Sequence, residues 1–188
     1  MDFRQTLGFA SENFSRRLDT VADTELAGAT PCEDWSVTDL IWHVARGSAL
    51  TVRLLDGASK ADASLLFKEK APDDVVEACR LALAQELSAF GVDHDLEKIV
   101  HHPMGDVPVR QLFDFRIMDL TLHGWDLARA VGGDEEIPDE LVSYVLAMLE
   151  PLEEVIGQIG VFGAGPSGSL GSGDAASSRL LDLSGRRP

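Results

Sequence analysis

Apolar residues return at helical spacing along four long stretches of this chain, and the segments between them are too short for the parallel crossovers of a sheet. The first stretch is residues 3–27, where Phe3, Leu7, Ala10, Phe14, Val21 and Leu26 recur with Arg16, Arg17 and Asp19 between them. Gly28-Ala29-Thr30-Pro31-Cys32 then reads as a loop, because a proline disfavours helix in the residue before it. Ser36-Val37-Thr38-Asp39 has capping-box spacing and opens the second helix, which runs through Leu40, Ile41, Val44, Leu50 and Leu54 to Gly57. Pro72-Asp73-Asp74 opens the third, with Val75, Val76, Ala78, Cys79, Leu83, Leu87 and Phe90 as its apolar positions and Gly91 as its stop. The fourth spans 109–131 and ends at Gly132-Gly133, and a shorter helix runs from Pro138 to about Glu150. The expected fold class is all-α, a four-helix bundle.

Between the third and fourth helices, residues 92–108 contain Pro103, Gly105 and Pro108 and read as a long loop with a short hairpin around Met104-Gly105-Asp106. Beyond Gly157 the composition changes, and Gly163 to Ser178 is nearly all Gly, Ser, Ala and Pro, the mark of a flexible segment. Arg179-Leu180-Leu181-Asp182-Leu183 is expected to fold back as a short turn of helix. The division that follows is a helical domain over 1–157 and a Gly/Ser-rich tail over 158–188.

Charge narrows the choice of partner. With 32 acidic against 16 basic residues the net charge is −16, which opposes binding to nucleic acid or to an anionic membrane surface. No apolar run approaches the roughly 20 residues of a membrane span, and Met1-Asp2-Phe3-Arg4-Gln5-Thr6 does not open a secretory signal. Cys32 and Cys79 fit no paired-cysteine spacing and are expected to be free thiols in a reducing cytoplasm. Both read as plain thiols, and the alternative of a reactive thiol falls on Cys32, in a loop beside a helix start. The partners expected are small molecules, and the chain a monomer or homodimer.

The chemistry is concentrated on two helices. Asp119 and His123 lie four apart, so both side chains leave one face one turn apart, a spacing that can chelate a divalent ion. Phe113, Phe115, Ile117, Leu120, Leu122, Trp125 and Leu127 surround them, and a carboxylate enclosed by such residues is costly without a partner. His43 is the matching oddity on the second helix, among Ile41, Trp42, Val44 and Ala45. Asp39 either completes the Ser36 cap or orients His43. Asp126 either orients His123 or pairs with Arg129, and Arg116 and Arg110 either grip a substrate carboxylate or pair at the surface. Asp126 and Arg116 are thus the candidates for a catalytic part. Trp42 and Trp125 either pack the bundle or stack on a ligand. His94, His101 and His102 form a rival cluster, but loops hold ligands loosely, and its other place is the mouth of a pocket.

Two segments carry a family resemblance. Thr30-Pro31-Cys32-Glu33-Asp34-Trp35-Ser36-Val37-Thr38-Asp39-Leu40-Ile41-Trp42-His43 resembles a segment of the DinB-like superfamily, and more closely of the N-terminal domain of mycothiol-dependent maleylpyruvate isomerases and related actinobacterial metal-binding proteins. Asp119, followed by His123-Gly124-Trp125-Asp126-Leu127-Ala128-Arg129-Ala130 and Gly132, is similar to a later helix of that group, and the likeness covers roughly residues 5–150. The resemblance implies a four-helix bundle holding one divalent metal, commonly zinc, on His43, Asp119 and His123, with open positions for water or substrate. The isomerases carry a further C-terminal domain that contributes to their active site, whereas this sequence ends soon after its Gly/Ser segment. The activity expected is therefore broader than the isomerase reaction. It is a metal-dependent transferase or isomerase in which a mycothiol-like thiol attacks a small electrophile, with mycothiol as cosubstrate. The alternatives are a non-catalytic metal-binding or ligand-sensing module, and a hydrolase using metal-bound water.

Overall fold

Short polar side chains set where the first four helices begin, by taking over amides that a helix leaves unpaired at its start. The computed structural model describes residues 2–158, 160–163 and 165–187. Asp2 caps α1 (Phe3–Leu18), accepting from the Gln5 amide at 2.9 Å. Ser36 and Asp39 form the expected box at α2 (Val37–Leu55): Ser36 Oγ accepts from the Asp39 amide at 3.2 Å, and Asp39 Oδ2 from the Ser36 amide at 3.0 Å. Ser59-Lys60-Ala61-Asp62 repeats that spacing and opens α3 (Lys60–Ser64), a short helix absent from the expectation. Asp74 caps α4 (Val75–Phe90) through the Glu77 amide at 2.9 Å. The acids after Pro72 thus stand before the helix rather than in its first turn.

β1 (Ile99–His102) and β2 (Gly105–Pro108) pair antiparallel with His102 opposite Gly105, so Pro103 and Met104 form the turn of the hairpin. α5 (Val109–Val131) ends at Gly132 in the left-handed region (φ +66°), where the Gly133 amide donates to the Ala128 carbonyl at 2.8 Å. α6 (Asp139–Leu149) and α7 (Ala176–Leu183) follow.

The first helix stops at Leu18 instead of reaching residue 27. The Thr20 amide and hydroxyl both take the Arg17 carbonyl, and Ala22 is extended. The Leu26 carbonyl accepts from both the Thr38 amide and its hydroxyl, which commits this backbone to the start of α2. Val21 and Leu26 still pack against the core, and that is why the apolar spacing outlives the helix.

α2 packs against α4 and α5, and α1 against α5 and α4, so the four long helices close a ring with α1 and α2 on one diagonal. The all-helical bundle holds, and the hairpin is the only sheet among the described residues. Phe14, Leu40, Ile41, Phe113, Ile117 and Leu120 fill the centre. α6 packs on α5 and α7 on α6, and Leu180, Leu181 and Leu183 belong to the same apolar core. Residues 165–175 carry neither helix nor strand. No helix among the described residues is long and apolar enough to cross a membrane.

Cys79 is fully buried on α4, and burial pushes its thiol up to about 12. A thiol reagent at neutral pH should therefore leave Cys79 unreacted in the native protein, while the half-buried Cys32 is counted. Equal rates for both thiols in the folded state would contradict this packing of α4.

Candidate metal centre

Because α2 and α5 lie side by side, one residue on α2 can meet two that are a turn apart on α5. Asp119 Oδ1 is 3.1 Å from His43 Nε2 and 3.4 Å from His123 Nε2. The donor atoms of all three lie within 4.8 Å of one another. An ion with tetrahedral bonds of about 2.05 Å spaces its ligands by about 3.3 Å, so these separations suit a small divalent ion. Two imidazoles and one carboxylate are also the donor set such an ion prefers. The His43 and Asp119 side chains keep 33% and 20% of their surface exposed, so neither is sealed from solvent.

Asp119 is held from behind. Arg116 Nη1 donates to Asp119 Oδ2 at 2.5 Å, leaving Oδ1 to face the imidazoles. Arg116 Nε donates to Glu86 Oε1 at 2.7 Å, and its Nη2 to Ser48 Oγ at 3.0 Å. Ser48 Oγ in turn donates to Glu86 Oε2 at 3.0 Å, so the buried Glu86 is paired on both oxygens. Burial opposes charge on Asp119, but His43, Arg116 and His123 outweigh it and hold the carboxyl well below the usual range.

His123 is oriented from its other nitrogen. Its Nδ1 lies 2.9 Å from Asp126 Oδ2. Burial works against the Asp126 charge, yet hydrogen bonds from His123 and Arg186 bring its pKa down to about 2. An ionised carboxylate only accepts, so Nδ1 carries the proton and Nε2 faces Asp119. Cys32 Sγ also donates to Asp126 Oδ2 at 3.4 Å. Burial likewise disfavours charge on His123 itself, but the Asp119 charge, with the hydrogen bonds the ring makes to Asp119, Asp126 and Cys32, raises its pKa well above the ordinary histidine value.

The loop between Gly28 and α2 delivers two of these contacts. The Thr30 amide donates to the Trp35 carbonyl and the Trp35 amide to the Cys32 carbonyl, each at 3.1 Å. Asp34 between them takes a left-handed backbone (φ +63°), which aspartate tolerates better than most residues. The Trp35 ring then lies against both imidazoles, with centroids 4.8 Å from His43 and 5.8 Å from His123.

Other candidates fall elsewhere. Asp39 serves the cap. Arg129 pairs with Glu135 at 2.7 and 2.6 Å, so Asp126 takes the orienting alternative. Arg116 is buried rather than paired at the surface, and the exposed Arg110 sits over the Phe3 ring. Trp125 is buried beneath Arg129, and Trp42 donates Nε1 to the Glu69 carbonyl. The rival histidines are each engaged locally: His94 with the Ala89 carbonyl, His101 with Asp106, and His102 with the Met104 amide. Glu86, Trp35 and Arg186 were missed. Glu86 had a signal, since it shares helical spacing with Cys79, Leu83 and Phe90 on the stripe that faces the core. Nothing local distinguished Arg186.

Gly47 lets the guanidinium approach α2, for a Cβ there would sit 2.4 Å from Arg116 Nη1 and 3.1 Å from its Cζ. Glu86 and Ser48 stop Arg116 from yielding, so Gly47→Ala should destabilise the protein by about 1–3 kcal/mol. Glu86→Gln, which removes one partner of a buried pair, should cost about 3–5 kcal/mol. Urea denaturation midpoints unchanged from the parent would refute both.

Known proteins supply the context for this geometry. The sequence profile of the family described as mycothiol maleylpyruvate isomerase N-terminal domain matches residues 7–128, a span that includes Cys32, His43, Asp119, His123 and Asp126 but not Arg186. Uncharacterized protein Rv0738 of Mycobacterium tuberculosis (strain ATCC 25618 / H37Rv) is 30% identical over 143 residues, covering 76% of this chain and 75% of its own. Uncharacterized protein MT0763 of the CDC 1551 / Oshkosh strain matches at the same identity and coverage. Two crystal structures of the mycothiol-dependent maleylpyruvate isomerase, one of them a mutant, superpose with TM-scores of 0.65 and 0.67. They share 19% identity, over 88% of this chain and 72% of theirs, so that likeness is one of fold. The chain belongs to the mycothiol maleylpyruvate isomerase N-terminal domain family.

Proposed function

We propose that this protein is a divalent-metal-dependent enzyme that joins or isomerises a small electrophile by means of a low-molecular-weight thiol of the mycothiol kind. His43, Asp119 and His123 would hold the ion, and zinc suits two imidazoles and a carboxylate. The observation that carries the reading is the set of donor separations, 3.1 and 3.4 Å, at a point with one side exposed. A three-ligand site with an open position is the arrangement of catalytic rather than structural zinc. Family membership supports the thiol, because the related isomerase is mycothiol-dependent.

A divalent ion held there supplies positive charge that keeps a thiol deprotonated at neutral pH. The rest falls to the chain's own residues. Arg116 fixes Asp119 Oδ2 and so presents Oδ1 alone to the open side. Asp126 keeps the proton of His123 on Nδ1, away from the reacting face. The Trp35 ring covers one side of both imidazoles and excludes water there. We place the activity in a reducing cytoplasm, where Cys32 and Cys79 stay as thiols.

Elemental analysis and zinc titration of chelator-treated protein test the site, and mycothiol with a set of model electrophiles tests the chemistry. Zinc should bind saturably, and His123→Ala should weaken it more than the roughly 10–100-fold expected from changes outside the ligand set. Thiol consumption should require the metal. Protein that binds zinc but consumes no thiol above background would instead be a non-catalytic metal-binding module. Protein that binds no zinc would end the proposal.

A further inference from the structure

The turn after α7 brings an arginine to the back of the site, 60 residues from its partner Asp126 in sequence. Asp126 is completely buried, and Arg186 grips it with two donors, Nε on Oδ1 at 2.8 Å and Nη2 on Oδ2 at 2.5 Å. Oδ2 is the oxygen that faces His123 Nδ1. The grip is built into the fold. Leu180, Leu181 and Leu183 anchor α7 in the core. The chain then reverses at Gly185 (φ +78°), where a Cβ would meet the Phe162 carbonyl oxygen at 2.1 Å, so only glycine fits. The Gly185 amide donates to the Asp182 carbonyl and the Arg186 amide to the Leu181 carbonyl, at 2.9 and 2.8 Å, which aims the Arg186 side chain back at α5.

We propose that Arg186 is a positioning residue of the metal centre, clamping Asp126 so that the His123 ring is held with Nε2 toward Asp119 and His43. The inference rests on the reading of those three residues as metal ligands. Without the clamp, Asp126 would keep one hydrogen bond from an imidazole and a weak one from a thiol, and its carboxylate would be free to turn. A guanidinium fork fixes the carboxylate plane, and the carboxylate fixes the imidazole. Arg186, which completes the clamp, therefore lies beyond the span of the family profile, which ends at residue 128.

The competing account is that Arg186 only pins α7 to the bundle. Arg187 is the control, because it holds the same segment through Asp182 and the Gly165 carbonyl without touching Asp126. Zinc affinity, read by competition with a chromogenic chelator, should fall about 10–100-fold in Arg186→Ala. Arg186→Lys, a point charge without the fork, should lie in between, and Arg187→Ala should match the parent. Asp126→Asn combined with Arg186→Ala should lose no more than the worse single change, since both act through His123. If Arg186→Ala lowers thermal stability as Arg187→Ala does but keeps the parent's zinc affinity, the inference is overturned. Should Arg186→Ala fail to fold, Arg186→Gln carries the same comparison. Nitrogen-15 NMR of metal-free protein separates this inference from the functional one. A slowly exchanging His123 Nδ1 proton should be present in the parent and broadened in the Arg186 variant. Its loss supports the clamp even if the parent binds no zinc, and an unchanged signal overturns it.

Discussion

Everything at the centre depends on how one carboxylate, Asp119, is kept ionised between two packed helices. An enclosed charge without partners is untenable, and the chain answers with a fully enclosed chain of polar groups: Glu86 on α4, Arg116 on α5 and Ser48 on α2. Two acids and one guanidinium leave a single negative charge, and that charge faces two imidazoles. Such a site is poised to accept positive charge, either as a proton on His123 or as a metal ion. The same network ties three of the four long helices together, so the site and the bundle share their most demanding interaction. Gly47 belongs to it by having no side chain.

His123 is the second point of convergence. Its Nε2 belongs to the Asp119 side, while its Nδ1 belongs to a group assembled from the 29–36 loop, α5 and the turn after α7. Cys32, Asp126 and Arg186 meet there, and Trp35 lies across the ring. A histidine whose Nδ1 is tied to a buried carboxylate presents its Nε2 in one direction, which is what a ligand requires. The loop that carries Cys32 and Trp35 is itself held by backbone hydrogen bonds and turns at a left-handed aspartate.

Much of this was legible in local chemistry. The Ser36–Asp39 box, the Gly132 stop and the shared face of Asp119 and His123 all follow from rules that span four residues or fewer, and each stands in the structure. Local rules erred where an apolar position outlived its helix. Val21 and Leu26 pack on the core from a turn, so α1 was read too long. They also passed over Ser59, whose spacing with Asp62 is that of Ser36 with Asp39. Glu86 was overlooked because a charged residue on an apolar stripe is ordinarily turned outward. Here the stripe turns it inward, and the exposed neighbour is Leu87.

By itself the sequence determined most of the helices, the bundle class and the residue types able to hold a metal, because helical spacing and capping act within a turn or two of backbone. Which of those residues share one point was a matter for tertiary structure. The separation of His43 from Asp119 depends on how α2 lies on α5, and no local rule carries that. The partners that fix the site come from still farther along the chain, Glu86 from α4 and Arg186 from beyond a Gly/Ser stretch. Buried charges select their partners in space, by desolvation and hydrogen-bond geometry, and only the folded chain brings those partners together.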